Sequence, residues 1–137
     1  MAEKKILLVD DVDYSRQLLR NNIIALSNEG QLKQRQYNFY NASCASNALS
    51  MFSMQKPDLI FLDIELPDCS GLDLLEKFKK SRPECIIIMV SANSTLENVQ
   101  ASLKAGASGF IVKPFTGDKI LSALKLFERH CRITEQD

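Results

Sequence analysis

Ile6-Leu-Leu-Val-Asp-Asp11 decides the fold: four apolar residues in succession, stopped by two acids. A run with no polar alternation reads as a strand buried on both faces, as in a parallel sheet covered by helices above and below. The figure returns at Leu59-Ile-Phe-Leu-Asp63 and at Ile86-Ile-Ile-Met-Val-Ser91, and more briefly at Phe110-Ile-Val-Lys113. Ile86 to Val90 is the strongest of these, being rich in β-branched residues. Tyr37 to Ser43 is a weaker candidate strand.

Helical patterns fill the spaces between. Leu19, Ile23 and Leu26 recur at helical spacing and predict a helix from about Tyr14 to Leu26. Ala48, Leu49 and Phe52 give the next helix a modest apolar face. Leu74, Leu75 and Phe78 mark a third, which follows the turn from Pro67 to Gly71 and ends at Pro83. Ser94 and Glu97 fit a capping box, with Leu96, Val99 and Leu103 as the stripe behind it and Gly106 as the stop. Ile120, Leu124 and Phe127 carry the last helix. Ser27 to Gln36 reads as a polar loop. Five βα units with short connections predict an α/β fold with a mostly parallel sheet.

Bulk properties agree. The 137 residues suit one domain spanning 1–137. Hydrophobic residues are 45% and charged residues 25%, enough for a packed core. Lys plus Arg and Asp plus Glu each total 17, so no general affinity for nucleic acid or an anionic membrane is expected. Cys44, Cys69, Cys85 and Cys131 form no C-x-x-C pair, and His130 reads as a surface residue, so a zinc site is not expected. Reduced thiols and an N-terminus without a long apolar stretch point to the cytoplasm.

The chemistry lies after the strands. Asp10, Asp11, Asp63, Ser91 and Lys113 all fall at carboxyl ends, where open parallel sheets bind ligands. Clustered carboxylates repel unless a cation sits among them, and a hard oxygen cluster suits Mg²⁺. Strands two places apart lie roughly 10 Å from one another, so a lysine is needed to reach back across the gap. Asp63 stands alone where Asp10 and Asp11 come as a pair. The pair suits metal holding, and Asp63 suits attack on phosphorus to give an acyl phosphate. Taken singly, Asp10 and Asp11 also suit helix capping, Asp63 a turn, Ser91 a cap and Lys113 a solvated surface.

Together the residues resemble the receiver domain of two-component response regulators, in particular the stand-alone, chemotaxis-regulator-like kind. The resemblance is carried by Ile6 to Asp11, Asp58 to Asp63, Leu66-Pro67 with Gly71, Val90-Ser-Ala92, Gly106-Ala107 with Phe110, and Lys113-Pro-Phe115. It implies a flavodoxin-like (βα)5 doubly wound sheet of order 2-1-3-4-5. It implies that Asp63 takes a phosphoryl group from a histidine on a partner kinase or phosphotransfer protein. Asp11 would bind Mg²⁺ directly, Asp10 would assist through water, and Glu65 would offer its backbone carbonyl. Ser91 and Lys113 would hold phosphoryl oxygens, with Lys113-Pro114 cis. Ser91 and Phe110 would form the switch pair that alters the face made by the fourth helix, fifth strand and fifth helix, where a downstream protein docks. Self-phosphorylation and slow self-dephosphorylation would be its only catalysis.

Three features depart from the family pattern or border the site. The loop from Ser27 to Gln36 is long, Phe110 lacks the hydroxyl of the tyrosine often found there, and Glu65 and Asn93 occupy positions that tune phosphate lifetime. Two other readings remain. Asp11-Val-Asp13-Tyr-Ser15 mimics the nucleophile motif of haloacid dehalogenase-type phosphatases, although the late acidic pair is missing and Asp63 is left idle. The chain also suits a receiver domain excised from a longer regulator.

Overall fold

Side chains alternate across a strand, so each apolar run serves two cores at once. Ile6, Leu8, Leu59, Phe61, Ile86, Ile88 and Val90 face one cluster, while Leu7, Val9, Ile60, Leu62, Ile87 and Met89 face another. This double demand is why the runs contain no polar interruption. The computed structural model describes residues 3–33 and 36–135, the last four as backbone only. Its elements alternate: β1 Lys4–Val9, α1 Asp13–Asn28, β2 Tyr37–Ala42, α2 Ala45–Gln55, β3 Leu59–Asp63, α3 Gly71–Ser81, β4 Ile86–Ser91, α4 Leu96–Lys104, β5 Gly109–Val112 and α5 Gly117–Glu135. The strands form one parallel sheet in the order β2-β1-β3-β4-β5, as expected.

The first cluster is closed by Leu19, Ile23 and Leu26 of α1 and by Ile120, Ala123, Leu124 and Phe127 of α5. The second is closed by Ala45, Ala48 and Phe52 of α2 and by Leu74, Leu75 and Phe78 of α3. Phe52 and Phe78 stack with ring centroids 4.2 Å apart, joining α2 to α3.

Three local readings change. α1 runs on to Asn28, so Ser27 is a buried helical residue and the loop starts later. That loop is not wholly polar: Leu32 enters the first cluster at 1% exposure and anchors the segment; residues 34–35 lie outside the description. The cap of α4 is Thr95 rather than Ser94, its hydroxyl accepting the Asn98 N–H at 3.2 Å.

The stripe on α4 is real but faces outward. Leu96 is 71% and Leu103 51% exposed, and the buried residue of this helix is Ser102. Gly106 does stop α4. Its φ of +107° is one that side chains with a Cβ rarely adopt.

None of the four cysteines is in a disulfide. Cys85 is fully enclosed at the start of β4, and burial pushes its thiol up to about 12. A thiol held so far above neutral pH carries almost no thiolate, the reactive species. At pH 8 Cys85 is therefore expected to resist iodoacetamide until the chain unfolds, while Cys44 is modified in the native state. Peptide mapping after timed alkylation checks this, and early labelling of Cys85 would contradict the packing.

Candidate functional site

Parity along the strands decides which polar residues meet. Paired residues on neighbouring parallel strands point to the same face. Val9 pairs with Leu62, so Asp10 and Asp63 each follow as next-door neighbours on the α1/α5 side of the sheet. Asp63 pairs with Val90, and Val90 with Ile111, so Lys113 has the same parity two strands away and two residues further on. Ser91 falls on the opposite parity, following Ile87 and Met89.

The side chains follow this plan. Asp63 is 3% and Asp10 6% exposed. The Lys113 ammonium donates to Asp10 Oδ2 at 2.7 Å and to Asp63 Oδ2 at 2.9 Å. The Lys113–Pro114 peptide is cis. The other oxygen of each acid accepts a local backbone N–H: Asp10 Oδ1 from Val12 at 2.8 Å and Asp63 Oδ1 from Glu65 at 3.0 Å. Arg16 donates to the Asp10 carbonyl and pairs with Asp13, holding the β1–α1 turn. Asp11 is exposed, and one carboxylate oxygen from each of Asp10, Asp11 and Asp63 lies within 4.8 Å of the others.

Burial pushes Asp63 well above the ordinary carboxylate range, although the Lys113 ammonium pulls it down. Burial would lower Lys113, but its bonds to Asp10 and Asp63 hold it above its usual value. Among the described residues, one ammonium is thus hydrogen-bonded to two buried acids, with a third beside them. This crowding of hard oxygens fits a divalent cation such as Mg²⁺.

Ser91 is buried, and its hydroxyl donates to the Glu65 carboxylate, 2.7 Å from Oε1 and 3.0 Å from Oε2. Its oxygen accepts the Asn93 N–H at 2.9 Å. Burial alone would raise Glu65, but hydrogen bonds from Ser91 and with Asp63 outweigh it and hold the acid below its usual value. The sequence places the Glu65 carbonyl at the metal and the residue among those that tune phosphate lifetime, but does not reveal that its carboxylate rests on Ser91. The available signal was an acid two residues beyond Asp63, in a loop that must fold back over the strand ends.

Asp68 is a second omission: its carboxylate accepts Ala45 N at 2.7 Å and Ser46 N at 3.1 Å, capping α2 from the β3–α3 loop. Phe110 is half-buried beside the second cluster. Asp13, required by the phosphatase reading, instead begins α1 and bonds Arg16 and Gln17 on the surface, outside the acidic cluster.

Comparison with known proteins agrees with this geometry. The family model for the response regulator receiver domain matches residues 6–125. The chain is 31% identical to the chemotaxis protein CheY of Thermotoga maritima over 121 residues, covering 88% of this chain and 94% of that one. It is 31% identical to sporulation initiation phosphotransferase F of Bacillus subtilis, covering 93% and 95%. It is also 30% identical to the probable transcriptional regulatory protein TcrX of Mycobacterium tuberculosis, where 96% of this chain spans 53%, about half, of the relative. The CheY-like receiver domain structure from Methanospirillum hungatei superposes with a TM-score of 0.80 at 32% identity, covering 99% of this chain and all of that one. With its strand order, its Lys113-bridged acids and these relatives, the chain belongs to the response regulator receiver domains of two-component signalling.

Proposed function

We propose that residues 1–137 act as a single receiver domain in which Asp63 accepts a phosphoryl group from a phosphohistidine on a partner kinase or histidine phosphotransfer protein. The carrying observation is the Lys113 ammonium bridging Asp63 to Asp10 at the mouth of the sheet. A relative named as a phosphotransferase supports the same chemistry. In the transfer the N–P bond breaks, a new O–P bond forms at an Asp63 oxygen, and the imidazole leaves with the electron pair. Hydrolysis later restores the carboxylate. The domain is a signalling switch; self-phosphorylation and slow self-dephosphorylation are its only catalysis.

Asp10, Asp11 and Asp63, with the Glu65 carbonyl, are the residues that would hold Mg²⁺; when bound, the ion supplies positive charge against the phosphoryl oxygens. Lys113 exchanges one carboxylate partner for a phosphoryl oxygen, and Ser91 gives a hydroxyl to another. Ser91 and Phe110 then change together and alter the face made by α4, β5 and α5. Support for a protein target there comes from exposed Leu96 and Leu103 on α4. Balanced net charge supports a protein target over nucleic acid or a membrane, and no helix among the described residues is long and apolar enough to cross one. The four thiols outside any disulfide fit a cytoplasmic setting.

Labelling with a small phosphodonor and Mg²⁺ tests this. The label is expected to be an alkali-labile acyl phosphate, absent in Asp63→Asn and retained in Asp13→Asn. Retention in Asp63→Asn with loss in Asp13→Asn would overturn the assignment.

A further inference from the structure

We propose that the Glu65 carboxylate is a latch on Ser91, holding the hydroxyl that the phosphoryl group needs and releasing it only when Asp63 is modified. This rests on the phosphoacceptor reading of Asp63 and adds an antagonist to it.

A serine hydroxyl has one proton to give. Ser91 gives it to Glu65, 2.7 Å from Oε1, and its oxygen is already engaged by Asn93 N at 2.9 Å. Ser91 is 0% exposed, so solvent supplies no substitute partner. A hydroxyl with one proton cannot serve the Glu65 carboxylate and a phosphoryl oxygen at full strength together.

The latch is built to open. The Glu65 side chain is exposed, and a released carboxylate is hydrated at once. Its backbone stays fixed, because Glu65 N donates to Asp63 Oδ1 at 3.0 Å and an isolated bridge joins Glu65 to Ser70. Only the side chain has to turn. A phosphoryl group on Asp63 brings negative charge beside Glu65 and competes for the Ser91 proton, so the same event repels the arm and removes its anchor. The resting state is thereby favoured against donors that engage Asp63 weakly. Glu65 is a positioning residue in this scheme, since it acts through Ser91.

A double-mutant cycle with beryllium fluoride and Mg²⁺ as the probe separates the latch from simple charge repulsion. Glu65→Ala is expected to tighten binding on the order of tenfold when Ser91 is present, the scale of one charge-assisted hydrogen bond. In a Ser91→Ala background the same change should tighten binding by clearly less, on the order of twofold, because only the repulsion is left to relieve and there is no hydroxyl to release. Glu65→Gln keeps a weaker, neutral acceptor and should fall between wild type and Glu65→Ala. Equal tightening in both backgrounds would mean that Glu65 acts by charge alone and would overturn the latch, as would no tightening with Ser91 present. Failure of the wild type to bind the probe, or unchanged binding by Asp63→Asn, would instead remove the underlying phosphoacceptor reading.

Discussion

Lys113→Met should cost the domain about 3 kcal/mol of stability at alkaline pH and slow labelling of Asp63 by about 100-fold. The first effect follows from what the ammonium leaves behind. Asp10 and Asp63 are buried neighbours, and Lys113 donates to both. Breaking a buried pair from one side typically costs about 3–5 kcal/mol, because the remaining charge has no partner. The lower end applies since a fifth of the Lys113 side chain, 20%, is exposed to solvent. The sign of the pH dependence follows from Asp63. Burial already raises it above the usual range, and Lys113 opposes the rise. Without the lysine the folded state binds a proton still more readily than the unfolded chain. The deficit is therefore full only above the variant's Asp63 value, and it shrinks as pH falls from there toward the wild-type value of about 7. Thermal melts at pH 9 and pH 6 check this; an equal deficit at both would show that Asp63 is not the cause. Mg²⁺ should restore part of the lost stability at pH 9, by supplying the acids with another cation. It should not restore the rate, because a long cationic arm from β5 is still missing.

Gly71→Ala is the second large effect, and its sign opposes helix propensity. Gly71 begins α3, where alanine is ordinarily the better residue. Here a Cβ would lie 2.1 Å from the Asp63 carbonyl oxygen and 2.8 Å from the Ile64 Cα. Both are backbone atoms of the segment that carries Asp63, so no flexible side chain can move aside. Relief requires α3 to withdraw from β3, which breaks the Gly71 N–H to Ile64 carbonyl bond of 2.7 Å. About 3 kcal/mol of destabilisation is expected, with a fall in melting temperature of about 10 °C. Labelling of Asp63 should fall as well, since its backbone is displaced. Gly117→Ala is the control: it also begins a helix, but its Cβ would meet nothing within 4 Å, so a change below about 1 kcal/mol is expected. If both substitutions behave alike in denaturant melts, the close approach at Gly71 is not what selects glycine there.

The fold was legible because its main signals are local. Ile6 to Val9, Leu59 to Leu62 and Ile86 to Val90 carry apolar side chains on both faces, and a strand buried between two helical layers needs that pattern. The α4 stripe shows where local pattern stops short. Leu96, Val99 and Leu103 have the spacing of a core-facing helix, yet Leu96 and Leu103 are exposed. Periodicity says that a helix has an apolar side; it does not say what covers that side. Leu32 shows the converse, a single apolar residue in a polar loop whose burial no periodic pattern announces.

The acidic site divides in the same way. From the sequence alone came the residue types and the strand ends on which they stand: Asp10, Asp11, Asp63, Ser91 and Lys113, each after an apolar run. A strand end can be read because burial of the run and exposure of its terminus are properties of neighbours in the chain. Only the tertiary structure decided who touches whom. Pairing of Val9 with Leu62 and of Val90 with Ile111 brought Lys113 onto both buried acids, while opposite parity sent Ser91 elsewhere. The fold of the loop beyond β3 then laid the Glu65 carboxylate on the Ser91 hydroxyl. Inter-strand register and the reach of a long side chain are set by packing between segments far apart in sequence. Local pattern carries no record of them.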